Sequence, residues 1–407
     1  MAREFYHPGL RGVIAGETDI CSLDDGLRYR GYCIYDLTQG ASFLEVAYLL
    51  LFEQLPTEER LADFLGLVAD EATIPQQLAQ VLDLIPLHAG PLEALRTGIS
   101  LLAHFDPQTA DPPGDSGAGQ AVRLLARLPL LLAHFARTPQ SPPNGRRGTS
   151  ARANGGPART NGHPAADDQR QDRTRGGLRF DPSTSYAHNL FRLLQRRLPT
   201  DLEEHALETV LILAAEQEFT PSSFSARLAG STQADIYSAV QAALSTFIGA
   251  RHGGAERSVQ EVFLELRDPA DAASWVAERI TAGEKIPGFG HPVFSDCDPR
   301  AAILEPLCCR LAAARNAQAW EDVAEAVEHA VWERQRLPPN IDWPLGRLLT
   351  YLGFARELHP ALFACARVVG WCAHAVEQAE SGESIRPRAR YRGVERAEFA
   401  PLWTRDL

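Results

Sequence analysis

Residues 360–380 read PALFACARVVGWCAHAVEQAE, and this stretch decides how the rest of the chain is read. Apolar side chains recur at every third and fourth position, a spacing that lines one face of an α-helix. Arg367 sits in the middle, between Ala366 and Val368. A guanidinium in so apolar a helix is costly to bury without an anion, so it is expected to meet either an anionic ligand or a protein carboxylate.

The same period extends outward through residues 42–53, 58–71, 121–137, 201–218, 234–247, 299–315 and 321–336. Start signals accompany it. Ser42 with Glu45 and Thr200 with Glu203 have the spacing of capping boxes, and Asp298 followed by Pro299 reads as an N-cap with proline at the first helical position. Strand-like pieces are few: residues 12–23 and 27–32 around an Asp24-Asp25-Gly26 turn suggest one small N-terminal β-hairpin. The fold class expected is all-α, helix packed on helix. Residues 138–177 have no apolar periodicity and are rich in Pro, Gly, Asn, Ser and Arg, so they are expected to form a disordered surface insertion.

Composition excludes several functions. With 407 residues, 45 % hydrophobic and 23 % charged, the chain can bury the cores of two or three domains. A net charge of -12 sets it against general binding to a phosphate backbone. No run of 18 apolar residues occurs and residues 1–10 lack a signal-peptide pattern, so no membrane span and a soluble, cytoplasmic protein are expected. The seven cysteines form no C-x-x-C pair, and Cys308, Cys309, Cys365 and Cys372 read as small buried hydrophobes within helices.

Three loops between helices between them carry glycine, histidine and aspartate: RHGGA (251–255), IPGFGHP (286–292) and PPNID (338–342). Glycine lets backbone approach a ligand closely, and loops at helix ends carry imidazole or carboxylate without forcing it into a core. The histidines and Asp342 lack the close spacing of a zinc site, so no metal is expected. No phosphate-binding G-x-x-x-x-G-K-[ST] or G-x-S-x-G elbow is present, and Gly288-Phe289-Gly290 lacks the preceding strand of a dinucleotide fingerprint. Two further arginines draw notice: Arg300, in the first turn of the 299–315 helix, and Arg386, in IRPR (385–388).

Taken in order, GLRGVIAGET (9–18), LRYRGY (27–32), SFLEVAYLL (42–50), His252-Gly-Gly, Gly-Phe-Gly-His291, Asp298-Pro-Arg300, Asn340-Ile-Asp342 and Arg386-Pro-Arg resemble the citrate synthases, especially their short bacterial and archaeal type. The resemblance implies a helical homodimer. Its large domain would lie in residues 1–252 and 349–407 and its small domain in 253–348, with a cleft that closes on oxaloacetate before acetyl-CoA reacts. It implies Asp342 as the base that removes a methyl proton from acetyl-CoA, His252 as donor to the thioester oxygen, and His291 as donor to the ketone of oxaloacetate. Arg300 and Arg367 would bind the dicarboxylate, and Arg386 would reach the partner's site. Gly288, Phe289 and Gly290 would hold the adenine end of coenzyme A through backbone groups, with Lys285, the only lysine, near a phosphate. No cofactor is implied beyond the CoA thioester itself.

The chain also departs from the family pattern. His-Ala-Asp-His-Glu-x-Asn becomes Ala214-Ala215-Glu216-Gln217-Glu218-Phe219-Thr220, so Gln217 stands where a histidine contacts the oxaloacetate carboxylate and Thr220 replaces the asparagine. A glutamine donates an amide hydrogen bond but never carries charge. Pro292 replaces the arginine that many short-type members carry. Three readings follow: a citrate synthase, a 2-methylcitrate synthase or related condensing enzyme, and a non-catalytic paralogue opposed by the retained His252, His291 and Asp342.

Overall fold

The computed structural model describes residues 7–10, 12–24, 26–86, 88–111, 113–136, 180–253 and 255–404. The 138–177 insertion lies outside them. The first half of the described chain forms helices α1 (Ile34–Gly40), α2 (Phe43–Phe52), α3 (Glu58–Glu71), α4 (Gln76–Leu82), α5 (Pro91–Ala103), α6 (Pro113–Ala136), α7 (Tyr186–Leu190) and α8 (Asp201–Ala214). The second half adds α9 (Pro221–Gly230), α10 (Ile236–Phe247), α11 (Ala255–Glu265), α12 (Ala272–Thr281), α13 (Pro299–Arg315), α14 (Gln318–Gln335), α15 (Asp342–Tyr351) and α16 (His359–Ser381).

Helix α16 is the axis of the molecule. Every residue from His359 to Ala375 is buried, and the helix packs against α2, α6, α8, α9 and α10. A helix apolar all round can satisfy itself only inside a core, and this one does. The sequence signals at helix starts hold in detail. Ser42 and Glu45 close a reciprocal capping box, as do Thr200 and Glu203. Asp298 accepts a hydrogen bond from Arg300 N at 3.0 Å, with Pro299 opening α13. Residues 201–218 do not stay helical throughout: α8 ends at Ala214, Glu218 turns left-handed (φ 54°), and Thr220-Pro221 starts α9.

The N-terminal hairpin is instead a three-stranded antiparallel sheet of two-residue strands, β1 (Cys21–Ser22), β2 (Arg28–Tyr29) and β3 (Tyr32–Cys33). Residues 12–18 form no strand. They are held by the helical body: the carbonyl of Glu17 accepts from Arg227, and Gly16 lies against the Phe219 ring. Cys308, Cys365 and Cys372 are buried as expected, but Cys309 is exposed, because neighbouring positions on a helix point about 100° apart.

Two apolar cores form. The larger collects α2, α5, α6, α8, α10, α13, α15 and α16; the smaller takes residues from α11, α12 and α14 with Ile286 and Trp343. The loops that carry His291 and Asp342 lie where the two cores meet.

Candidate active site

Gln217 lies in the loop between α8 and α9, directly before the left-handed Glu218, and the glutamine faces the His291 loop. Its amide contacts His291 Nε2 at 2.7 Å, and its Oε1 accepts from Arg300 Nη1 at 2.5 Å. The opposite ring nitrogen, His291 Nδ1, accepts from the backbone N–H groups of Val293 and Phe294 at 3.2 and 3.1 Å. With Nδ1 occupied as an acceptor, a neutral imidazole carries its proton on Nε2. Burial, then the nearby Arg300 charge, pushes the His291 pKa down to about 4, so the ring is neutral at pH 7. Arg300, Gln217 and His291 Nε2 thus bring more donors to one spot than the protein supplies acceptors.

Arg300 is buried and forked onto Asp298, with Nε to Oδ1 at 2.9 Å and Nη2 to Oδ2 at 2.7 Å. Asp298 also accepts from the backbone N of Ile341 at 3.0 Å, which ties the Asp342 loop to this arginine. Sequence reasoning assigned Asp298 only its capping role. Its second role has no local signal, since Ile341 lies 43 residues away.

His252 follows α10 across a tight turn. A Cβ on Gly253 would come within 2.5 Å of the Phe247 ring and carbonyl, so only glycine allows the chain to fold back there. His252 Nε2 meets Ser222 Oγ at 2.8 Å, and Ser222 Oγ also accepts from Trp371 Nε1 at 3.1 Å. With the indole on an oxygen lone pair, the hydroxyl proton is free for Nε2, leaving Nδ1–H as the outward donor. Burial, then Arg367, lowers the His252 pKa to about 4. Ser222 and Trp371 escaped the sequence reading because serine in a helix and tryptophan in an apolar run carry no mark of a site. Thr220 is the N-cap of α9, accepting from Ser223 N at 3.3 Å, which gives it a structural reason where the family has asparagine.

Arg367 is buried, its Nε donates to the carbonyl of Ala214, and no carboxylate lies within salt-bridge distance among the described residues. Its Nη2 has no hydrogen-bond partner. Burial, against the nearby Glu216 charge, lowers its pKa. Of the two outcomes left open by the sequence, a protein carboxylate meets Arg300 and, among the described residues, none meets Arg367.

Asp342 opens α15, half-buried, and its carboxylate accepts no hydrogen bond from a described residue; the backbone N of Asp342 is held by Asn340 Oδ1 at 2.9 Å. Burial raises its pKa to about 6, with Asp298 pushing the same way and Arg300 and Arg367 pulling against it. Asn340 also fastens this loop to the glycine loop: its N donates to Gly288 O at 2.9 Å and its Nδ2 to Gly290 O at 2.8 Å. Gly288, at φ +84°, would place a Cβ 2.9 Å from Trp343, so the backbone there lies directly on the indole.

His252, His291, Asp342, Gln217, Arg300 and Arg367 are therefore joined by hydrogen bonds or by the fields of the two arginines. Gly288, Phe289 and Gly290 flank them. Lys285 is exposed at the edge of the glycine loop, and Arg386 is exposed in the extended segment after α16, bonded to its neighbour Pro387 and apart from the cluster. No group of histidine, cysteine or acidic residues able to hold a metal occurs among the described residues, nor does any described helix have the length and apolarity to cross a membrane.

A model of the family described as "Citrate synthase, C-terminal domain" matches residues 9–388. The chain belongs to the citrate synthase family. The 2-methylcitrate synthase of Shewanella oneidensis is 32 % identical to it over 410 residues, covering 99 % of both chains. Citrate synthase 2 of Bacillus subtilis is 33 % identical over 399 residues, covering 97 % of this chain and 98 % of its own. Among solved structures, a ternary complex of Thermoplasma acidophilum citrate synthase with carboxymethyl coenzyme A and oxaloacetate superposes with a TM-score of 0.81 at 26 % identity, covering 99 % of this chain and all of that one. Citrate synthases need no cofactor beyond the coenzyme A substrate.

Proposed function

We propose that this citrate synthase family member condenses acetyl-CoA with oxaloacetate to give citrate and coenzyme A. Asp342 carries the reading: its carboxylate accepts no hydrogen bond from a described residue, sits in the fields of Arg300 and Arg367 and has a raised pKa, which is the character of a base rather than of a structural group. A thioester methyl is a very weak acid, so the carboxylate works only if the developing oxyanion is stabilised at the same moment. His252, aimed by Ser222 and Trp371, would supply that hydrogen bond. The enol carbon then attacks the ketone of oxaloacetate, and His291 Nε2–H donates to the ketone oxygen as the carbon–carbon bond forms. Water hydrolyses the citryl thioester and releases coenzyme A. Arg367, with its unfilled N–H, Arg300 Nη1 and the Gln217 amide would hold the carboxylates, the geometry that guanidinium and carboxylate favour. A homodimer would bring Arg386 of each chain to the other's site.

A second reading is favoured by the names of the relatives, which divide between citrate and 2-methylcitrate synthases at nearly equal identity. One methylene changes specificity by only about 1 to 3 kcal/mol. Loss of thioester absorbance with oxaloacetate and either acetyl-CoA or propionyl-CoA ranks the two. Asp342→Asn should abolish turnover by at least about a thousandfold while oxaloacetate still binds, on the scale at which general bases contribute. Retained turnover would remove the base assignment, and silence of the native chain with both thioesters would remove the proposal.

A further inference from the structure

Beneath the helix that carries Asp342 lies a cluster that the proposed chemistry does not use. On one face of α15, Trp343, Arg347 and Tyr351 recur at intervals of four and point toward α13 and α14. Arg347 is 1 % exposed, yet three carboxylates converge on it: Glu305 at 2.8 Å, Glu321 at 3.7 Å and Glu328 at 3.8 Å. Tyr351 donates to Glu321 Oε1 at 2.6 Å, so the tyrosine also holds that carboxylate. Trp343 Nε1 donates to Glu328 Oε1 at 2.5 Å, and Glu328 and Glu305 stand against the two terminal nitrogens of the same buried guanidinium. Three ionised acids against one guanidinium would leave a net charge of minus two around a buried arginine.

The indole links this cluster to the site above. Trp343 directly follows Asp342, lies under Gly288, and packs on Phe289 with ring centroids 4.8 Å apart. We propose that Glu305 and Glu328 share one proton, and that the resulting neutral carboxyl positions Trp343 and, through it, Asp342 and the Gly288–Gly290 loop. Glu328 is thus a positioning residue that touches no substrate. Burial, then repulsion from Glu305, raises the Glu328 pKa to about 8, against the pull of Arg347. The other groups facing the pair are Cys308 and Cys309 on α13, Glu321 on α14, and Arg347 and Tyr351 on α15. Glu305 and Glu328 are 34 and 27 % exposed, so solvent can remove the shared proton. Above about pH 8 the pair would carry two charges and push apart, loosening its grip on the indole.

The inference rests on the proposed function for its effect on substrate but not for its structural consequence, and the test separates the two. Hydrogen–deuterium exchange of the full chain is compared at pH 7 and pH 9 with E328Q, which has the shape of the protonated acid. Peptides covering residues 286–291 and 340–347 should exchange alike in both proteins at pH 7 and at least threefold faster in the native chain at pH 9. Equal exchange at both values overturns the proposal. If E328Q does not fold, E305Q serves: with the repulsion gone, its peptides should stay protected at pH 9, and native-like loosening overturns the shared proton. In turnover, the acetyl-CoA KM of the native chain should rise severalfold from pH 7 to 9 at nearly constant kcat, and that of E328Q should not; identical profiles overturn the positioning role. A chain inactive toward both thioesters that still shows the exchange difference would fail the function and leave the proton-sharing pair in place.

Discussion

Individual side chains carry the pH dependence of the proposed reaction, and its sign follows from their environments. Asp342, raised to about 6 chiefly by burial, keeps its proton to a higher pH than an ordinary aspartic acid and is lost as a base below that value. His252 and His291, lowered to about 4, stay neutral donors across the same range. The acid limb of kcat/KM for acetyl-CoA should therefore follow one group near pH 6 and fall about tenfold per unit below it; a limb governed near pH 4 would mean that Asp342 is not the base. Gln217 is one of the residues at which this chain departs from the family pattern. Its Oε1 already satisfies Arg300, so Gln217→His should release the arginine and add a chargeable donor, lowering the oxaloacetate KM by about fivefold, the effect of roughly 1 kcal/mol. An unchanged KM would show a pocket rebuilt around the amide. His252, His291 and Asp342 were legible because glycine-flanked histidines and an Asn-x-Asp loop stand out from helical sequence. Ser222, Trp371 and Asp298 were not, because what aims a histidine or neutralises an arginine is a contact across tens of residues with no local mark.

At the scale of elements, boundaries were readable where a cap or an apolar stripe fixed them. α3 and α13 start and stop where the 3.6 period does, and the two capping boxes close as their spacing requires. Short helices such as α9 (PSSFSARLAG) were missed, since serine and glycine suppress the stripe and tertiary packing supplies the stability instead. Glu203 shows how a cap becomes a joint. Besides closing its box with Thr200, it is forked by Arg197 at 2.8 and 2.7 Å and bonded to Arg315 at the end of α13. Burial opposes its charge, but the Arg197 and Thr200 hydrogen bonds prevail and hold its pKa at about 2. A depressed carboxylate stabilises the fold above its unfolded pKa and loses that contribution as pH falls through the folded one. Glu203→Gln should thus cost about 3 kcal/mol at pH 7, with the gap to the native chain closing between about pH 4.5 and 2 in denaturant titrations. A constant gap across that range would show that lost packing, not charge, is responsible.

For the whole molecule, the all-α architecture was legible from periodicity, and the N-terminal segment was not. Residues 12–18 read as strand-like from the sequence, but what holds them is Arg227 and Phe219 from α9 and the turn before it, a long-range tie with no local mark. The same limit applies to Arg367, whose helix announces a core while its chemistry looks outward. Its buried Nη2 finds no hydrogen-bond partner among the described residues. By mass action, a dicarboxylate that fills it at a hundred times its dissociation constant would add about 2.7 kcal/mol to the folded state. Arg367→Met should then melt no lower than the native chain without ligand and gain nothing from oxaloacetate; a large fall in the unliganded melting temperature would mean that the guanidinium is structural. On the proposed function, the level of oxaloacetate would also set how often the chain opens to proteases, because a bound dicarboxylate holds the folded state closed.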